Sequence, residues 1–332
     1  MKYKTYSFFN IFAVIILLAQ VGLVTPVFAQ VNTNVSQNNR IKNELDELRQ
    51  KGFVFLQSGN WQEANSIFEQ VLAKAPTDYL SFYGNGLALF NLRRVTEADE
   101  NIQKAIDFLS KNKINDKLLA DSLVLSAVIS ATQNKNDAAI EKLLKAVKLA
   151  PNNFDANLSL GRAYFGNSDV VNAVKYFRQA AIIQPNNLQA RFFLATALER
   201  EGNLPEALKE YRAVVKLNEN YAEGNLGLGV LLINTEGEKS VEGLKALEKA
   251  NSLNGNLYEA RITLGKTLVK LDRAEEAVEH LKKAAELAPK NPEPHYQLAI
   301  AYRKLGKKTE AANEAEIVKK IHEARRGVSE NQ

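Results

Sequence analysis

PNNFDANLSLGRAYFGNSDVVNAVKYFRQAAIIQP, residues 151–185, decides the fold of this chain. It opens and closes on a proline, Pro151 and Pro185, 34 residues apart. Between them lie two apolar runs with helical spacing. They are separated by Ser168-Asp169, residues that suit a left-handed turn position or the cap of a following helix. Small residues stand where two helices would have to touch: Gly161 in the first run, Ala173 and Ala180 in the second. The stretch therefore reads as one helical hairpin, with proline ending the second helix and opening the next unit.

Working outward, the same pattern repeats. Leu160, Leu194 and Leu228 step by 34, as do Leu264 and Leu298, each followed by Gly or Ala. Aligned on that phase, a first small column runs through Gly52, Gly86, Ala127, Gly161, Ala195, Gly229, Gly265 and Ala299. A second runs through Ala64, Ala98, Ala139, Ala173, Ala207, Gly243, Ala277 and Ala311. A third holds Val71, Ala105, Ala146, Ala180, Val214, Ala250, Ala284 and Val318. Four residues after the second column the side chain is large and apolar (Phe68, Ile102, Leu143, Phe177, Tyr211, Leu247, Leu281) until Ala315 breaks the rule. Turn residues recur at Gly59-Asn60, Gly202-Asn203, Asp272-Arg273 and Gly306-Lys307.

These columns, with Trp61-Gln-Glu-Ala64 through Phe68 to Pro76, Leu204-Pro-Glu-Ala207 and Ala274-Glu-Glu-Ala277, resemble the tetratricopeptide repeat. The resemblance covers residues 45 to about 325. It implies an all-α solenoid of about eight helix-turn-helix units coiling as a right-handed superhelix, each hairpin stacked on its neighbours. The units are 45–78, 79–112, 120–153, 154–187, 188–221, 222–257, 258–291 and 292–325, within a solenoid ending at 326 and followed by a disordered tail, 327–332. The chain departs from the family in three ways. The usual early Leu or aromatic of the first helix becomes Asn157, Arg191, Asn225, Arg261 and His295. Proline is replaced by Ser110, Glu219 and Gly255. Residues 113–119 are additional and read as an internal joint.

The first 29 residues read as an address. Lys2 and Lys4 precede an apolar run from Phe8 to Val24, and Val27 and Ala29 present small residues to a signal peptidase after Pro26. Cleavage after Ala29 is expected, with an uncleaved anchor as the alternative, and residues 30–44 read as a flexible leader and the start of the first helix. Export to the periplasm, or secretion, follows, with no membrane span in the mature chain. Removing Lys2 and Lys4 lowers the net charge from +5 to +3, too small an excess to imply nucleic acid. Cysteine is absent, which excludes disulfides and thiolate chemistry.

No catalytic, metal or cofactor constellation emerges. The three histidines, His280, His295 and His322, fall in separate units or helices, and no Gly-rich loop follows a strand. The expectation is a non-enzyme without cofactors whose partners are proteins or peptide segments. In the family the first helices line a groove at the second, fifth, ninth, twelfth and thirteenth positions of each unit. Carried onto this sequence, the groove would be lined by Phe53, Tyr83, Leu87, Phe90, Leu158, Arg162, Phe165, Phe192, Arg200, Val230, Lys266 and Tyr296, with basic residues recurring on an apolar lining. Phe90, Phe165 and Phe192 are the leading anchors. The clamp by which some family members hold a peptide's terminal carboxylate is not reproduced: Arg49, Phe53 and Gly84 stand at the matching places. The readings left open are an envelope adaptor or scaffold, a holdase-like chaperone, and an accessory subunit of an envelope enzyme.

Overall fold

The computed structural model describes residues 33–329, with side chains from 40 to 326. Among them are sixteen helices and no strand. They form eight hairpins: α1 (Thr33–Gln57) with α2 (Trp61–Lys74), α3 (Tyr79–Asn91) with α4 (Val95–Asn112), α5 (Asp116–Thr132) with α6 (Asn136–Leu149), and α7 (Phe154–Gly166) with α8 (Val170–Ile183). The remaining four are α9 (Leu188–Glu201) with α10 (Leu204–Leu217), α11 (Ala222–Glu236) with α12 (Val241–Leu253), α13 (Tyr258–Lys270) with α14 (Ala274–Leu287), and α15 (Pro292–Lys304) with α16 (Lys308–Ser329). The array divides between Ile183 and Gln184 into two compact units of four hairpins each. Within the first, each hairpin packs on the next and the first helices α1, α3, α5 and α7 lie side by side. Within the second, α9, α11, α13 and α15 do the same.

The small columns are where the helices meet. Every residue of the first two columns is buried, as is every residue of the third except Val318. A side chain added at Gly161 would place its Cβ 2.5 Å from the Phe177 ring, and one at Gly86 2.6 Å from Ile102. At Gly265 the distance to Leu281 is also 2.6 Å. The first column is small because the large apolar residue of the partner helix fills that space. Ala315, which breaks the large-residue rule, is exposed on α16.

Seven hairpins turn in the same way. Gly59, Arg93, Asn134, Ser168, Gly202, Asp272 and Gly306 have φ between 59° and 91°. The next amide reaches back five residues to a carbonyl of the first helix, as from Arg94 to Leu89 and from Asn203 to Leu198, both at 2.9 Å. This double-bonded helix end needs a left-handed residue, which glycine, asparagine or aspartate supplies most cheaply. Asp169 caps α8 through its side chain, whereas Asn60 and Asn203 make no side-chain cap bond. The sixth hairpin takes up its two extra residues by lengthening α11 and turning at Gly237.

The junctions between hairpins carry a second device. Two residues after proline, Asp78, Asn153 and Asn187 accept the amides of Ser81, Ala156 and Ala190 at 2.7, 2.9 and 3.0 Å. The polar residues that replace the family's early apolar position are also explained. Asn157 donates to the Pro151 carbonyl, Asn225 to that of Glu219 and Arg261 to that of Gly255, at 2.9, 3.0 and 3.1 Å. Arg191 likewise donates to the Pro185 carbonyl. Each tethers its helix to the loop six residues upstream and satisfies a carbonyl that the ended helix leaves open. His295 departs from this: its Nδ1 lies 2.6 Å from Glu314.

Helix α1 begins at Thr33, within residues 30–44, the segment read as leader and start of the first helix. Residues 113–119 form no joint: Lys113 and Asn115 take left-handed conformations, Asn115 caps α5, and the added residues lengthen α4 and α5. Helix α16 runs to Ser329, past the expected end at 326. The signal segment, 1–29, lies outside the described residues.

Candidate functional site

The first-helix face of each unit is where the candidate groove residues fall. Several of them pack inward. Tyr83 is 1% exposed, Leu87 5%, Leu158 7% and Phe165 9%. The Phe165 ring meets Phe177 at 6.3 Å, and Phe53 stands edge-on to Phe68 at 5.2 Å. Phe90 is half-buried against the core beneath α3. Phe192 is half-buried between Tyr221 and Tyr211, at 5.3 and 6.2 Å. Val230 packs on the core of the second unit. Arg162 is half-buried, and loss of water lowers its pKa. Lys266 pairs with Glu293 at 3.0 Å. Arg200 and Tyr296 are exposed, Tyr296 by 54%. Of the three leading anchors, Phe165 is buried between helices, while Phe90 and Phe192 are half-buried.

One position of this face is predominantly acidic. The second position of six of the eight units is a carboxylate: Asp46, Asp121, Asp155, Glu223, Glu259 and Glu293. The sequence reading identified that position as groove-lining but named no residue at it, taking its apolar and basic entries from the other four positions. These acids are not equivalent. Asp46 lies 2.6 Å from Arg49 and Glu293 3.0 Å from Lys266, which also acts on Glu259. Asp121 on α5 and Asp155 on α7 are half-buried, and the residues at the ninth positions of the preceding units are Leu87 and Val128.

Tyr83 on α3 completes this group. Its hydroxyl is buried with no hydrogen-bond partner. Burial, and then the charges of Asp121 and Asp155, push its pKa up and keep it protonated. Burial raises Asp155 from 3.8 to about 6, with the Asp121 charge adding to the shift. Burial also raises Asp121, opposed by a hydrogen bond from Asn153 at 2.6 Å and by Lys117. In the second unit a buried tyrosine of a second helix is satisfied instead: the Tyr211 hydroxyl donates to Glu199 at 2.9 Å and lies 3.2 Å from Thr196. Among the described residues no group of three His, Cys, Asp or Glu is placed to hold a metal, and no helix is long and apolar enough to cross a membrane.

Comparison with known proteins agrees with this architecture. Tetratricopeptide repeat models match residues 50–110 and 131–187, 164–228 and, as a TPR repeat, 265–306, together more than half the chain. No curated protein sequence matches the chain. Among solved structures, the C-terminal part of a TPR repeat-containing protein from Cytophaga hutchinsonii is similar over 75% of this chain and 99% of its own, with 15% identity and a TM-score of 0.58. PilF of Pseudomonas aeruginosa covers 66% of this chain and 96% of its own, at 19% identity and a TM-score of 0.57. YrrB, described as a TPR protein with an unusual peptide-binding site, covers 58% and 95%, at 21% identity and a TM-score of 0.50. Periodicity, packing columns and family models converge: this chain belongs to the tetratricopeptide repeat family.

Proposed function

We propose that the chain is an exported, non-catalytic scaffold that holds partner proteins by short peptide segments laid across its first-helix faces, in the periplasm or outside the cell. The observation that carries this reading is the Tyr83–Asp121–Asp155 group. It gathers a buried hydroxyl without a hydrogen-bond partner among the described residues and two half-buried carboxylates on three adjacent helices. Export rests on the composition of residues 1–29, and peptide binding is supported by the family and by its relative YrrB. A holdase would need a broad apolar surface. The large apolar side chains that are most exposed, Val171, Ile182 and Val241, sit on α8 and α12, which are second helices.

The absence of cysteine gives a direct test, because one introduced thiol can be labelled alone. A bulky maleimide on Asp121→Cys or Lys266→Cys would obstruct the first-helix face. The same label on Glu141→Cys or Glu279→Cys would sit on exposed second-helix surface. Partners are captured by crosslinking in the native envelope and identified by mass spectrometry. Saturable capture of one or two proteins, blocked only by the first pair of labels, is expected. Capture that ignores all four labels would remove the assignment of the face.

A further inference from the structure

We propose that Tyr83, Asp121 and Asp155 form the receptor for a basic side chain, a lysine or an arginine, carried by the bound peptide; this rests on the reading of the first-helix face as a peptide-binding surface.

The chain supplies its own precedent. Glu293 occupies in the last hairpin the place that Asp121 and Asp155 occupy in the third and fourth, and there a lysine of the preceding hairpin, Lys266, meets it at 3.0 Å. In the first unit the place of that lysine is taken by Leu87 and Val128, so no cation is built in. Burial is the largest influence on the Asp155 carboxyl, followed by the Asp121 charge. Asp121 feels Lys117, an exposed residue of its own helix, and the Asn153 amide. Arg162, seven residues beyond Asp155, has interactions of its own.

The helix dipole does not account for the pair. Asp155 is in the first turn of α7, where a carboxylate is favoured. Asp121 is the sixth residue of α5, beyond the reach of that effect. The acceptors match a cation: an ammonium has three donors and a guanidinium five, and here two carboxylates and a phenol oxygen lie on three neighbouring helices, near enough for both charges to act on the phenol. A desolvated carboxylate pair gains most from a partner that brings positive charge and N–H groups at once.

The test uses the purified chain and degenerate twelve-residue peptide libraries, each with one fixed central residue: lysine, arginine, norleucine or citrulline. Retention of the lysine and arginine libraries at least about fivefold above the neutral ones is expected. Asp121→Asn and Asp155→Asn should each reduce that preference, and Asp121→Asn/Asp155→Asn should abolish it. Tyr83→Phe should weaken it, whereas Glu293→Gln should leave it intact. Helix content measured alongside confirms that each variant is folded, and either single Asn variant decides the matter if the double one is not. Peptides retained without a basic preference, or with one that survives the double variant, would overturn the receptor and leave the peptide-binding reading standing. No retention of any library would overturn both. Stoichiometric uptake of magnesium or calcium that is lost in Asp155→Asn would also overturn it, in favour of a metal site.

Discussion

Asp155 takes up its proton at about 6 in the folded chain, because the protein excludes water from it and Asp121 stands close by. In the unfolded chain it reverts to an ordinary value of 3.8. Between those values the folded state holds more protons, so this residue lowers stability as pH rises from about 4 to about 6, and the deficit persists above. Asp155→Asn is therefore expected to stabilise the chain at pH 7.5 by about 1–3 kcal/mol and much less at pH 4. Urea unfolding at the two pH values reads the difference, and equal gains at both would show that charge is not the cause. Glycines give a second test at this scale. Gly161→Ala pushes a Cβ to 2.5 Å from Phe177, while Gly166→Ala meets nothing within 4 Å. The first should destabilise by about 1–3 kcal/mol and the second should be neutral or stabilising in thermal melts. The acids of the site were poorly legible in the sequence, since an acidic residue near a helix start is common for the dipole alone. What sets Asp121 and Asp155 apart is burial, with no ion pair at either among the described residues, and burial depends on side chains from other hairpins.

At the scale of the element, the helices were legible because small and large residues alternate between facing positions. Ala173, buried in α8, marks such an approach, and Ala173→Phe should cost about 1–3 kcal/mol in a denaturation series. The turns were legible where glycine, serine or aspartate held the left-handed residue. Arg93 and Asn134 hold the same conformation with less indication in the sequence, because the backbone bonds of the helix end impose it. The segment 113–119 misled for a related reason: extra residues can lengthen two helices as readily as form a loop. The polar substitutions early in the first helices proved to be junction ties. Asn225→Ala, which removes donors to the Glu219 and Tyr221 carbonyls, is expected to cost about 1 kcal/mol, measured against Asn225→Asp.

For the whole molecule, a chain of hairpins that touch mainly their neighbours has no single centre of stability. Hydrogen exchange should be slowest in the buried first and second helices within each unit and fastest along α16, where Ala312, Ala315 and Ile317 face water. Uniform protection from end to end would mean that the units unfold as one body. The junction ties have a further bearing. Each closes within a few residues of one loop, from side chain to carbonyl six places back, and asks nothing of the neighbouring hairpin's identity. A duplicated or exchanged thirty-four-residue gene segment therefore arrives with its own joint ready made, so such arrays can grow or shorten in evolution by whole hairpins while the first-helix face is edited one position at a time.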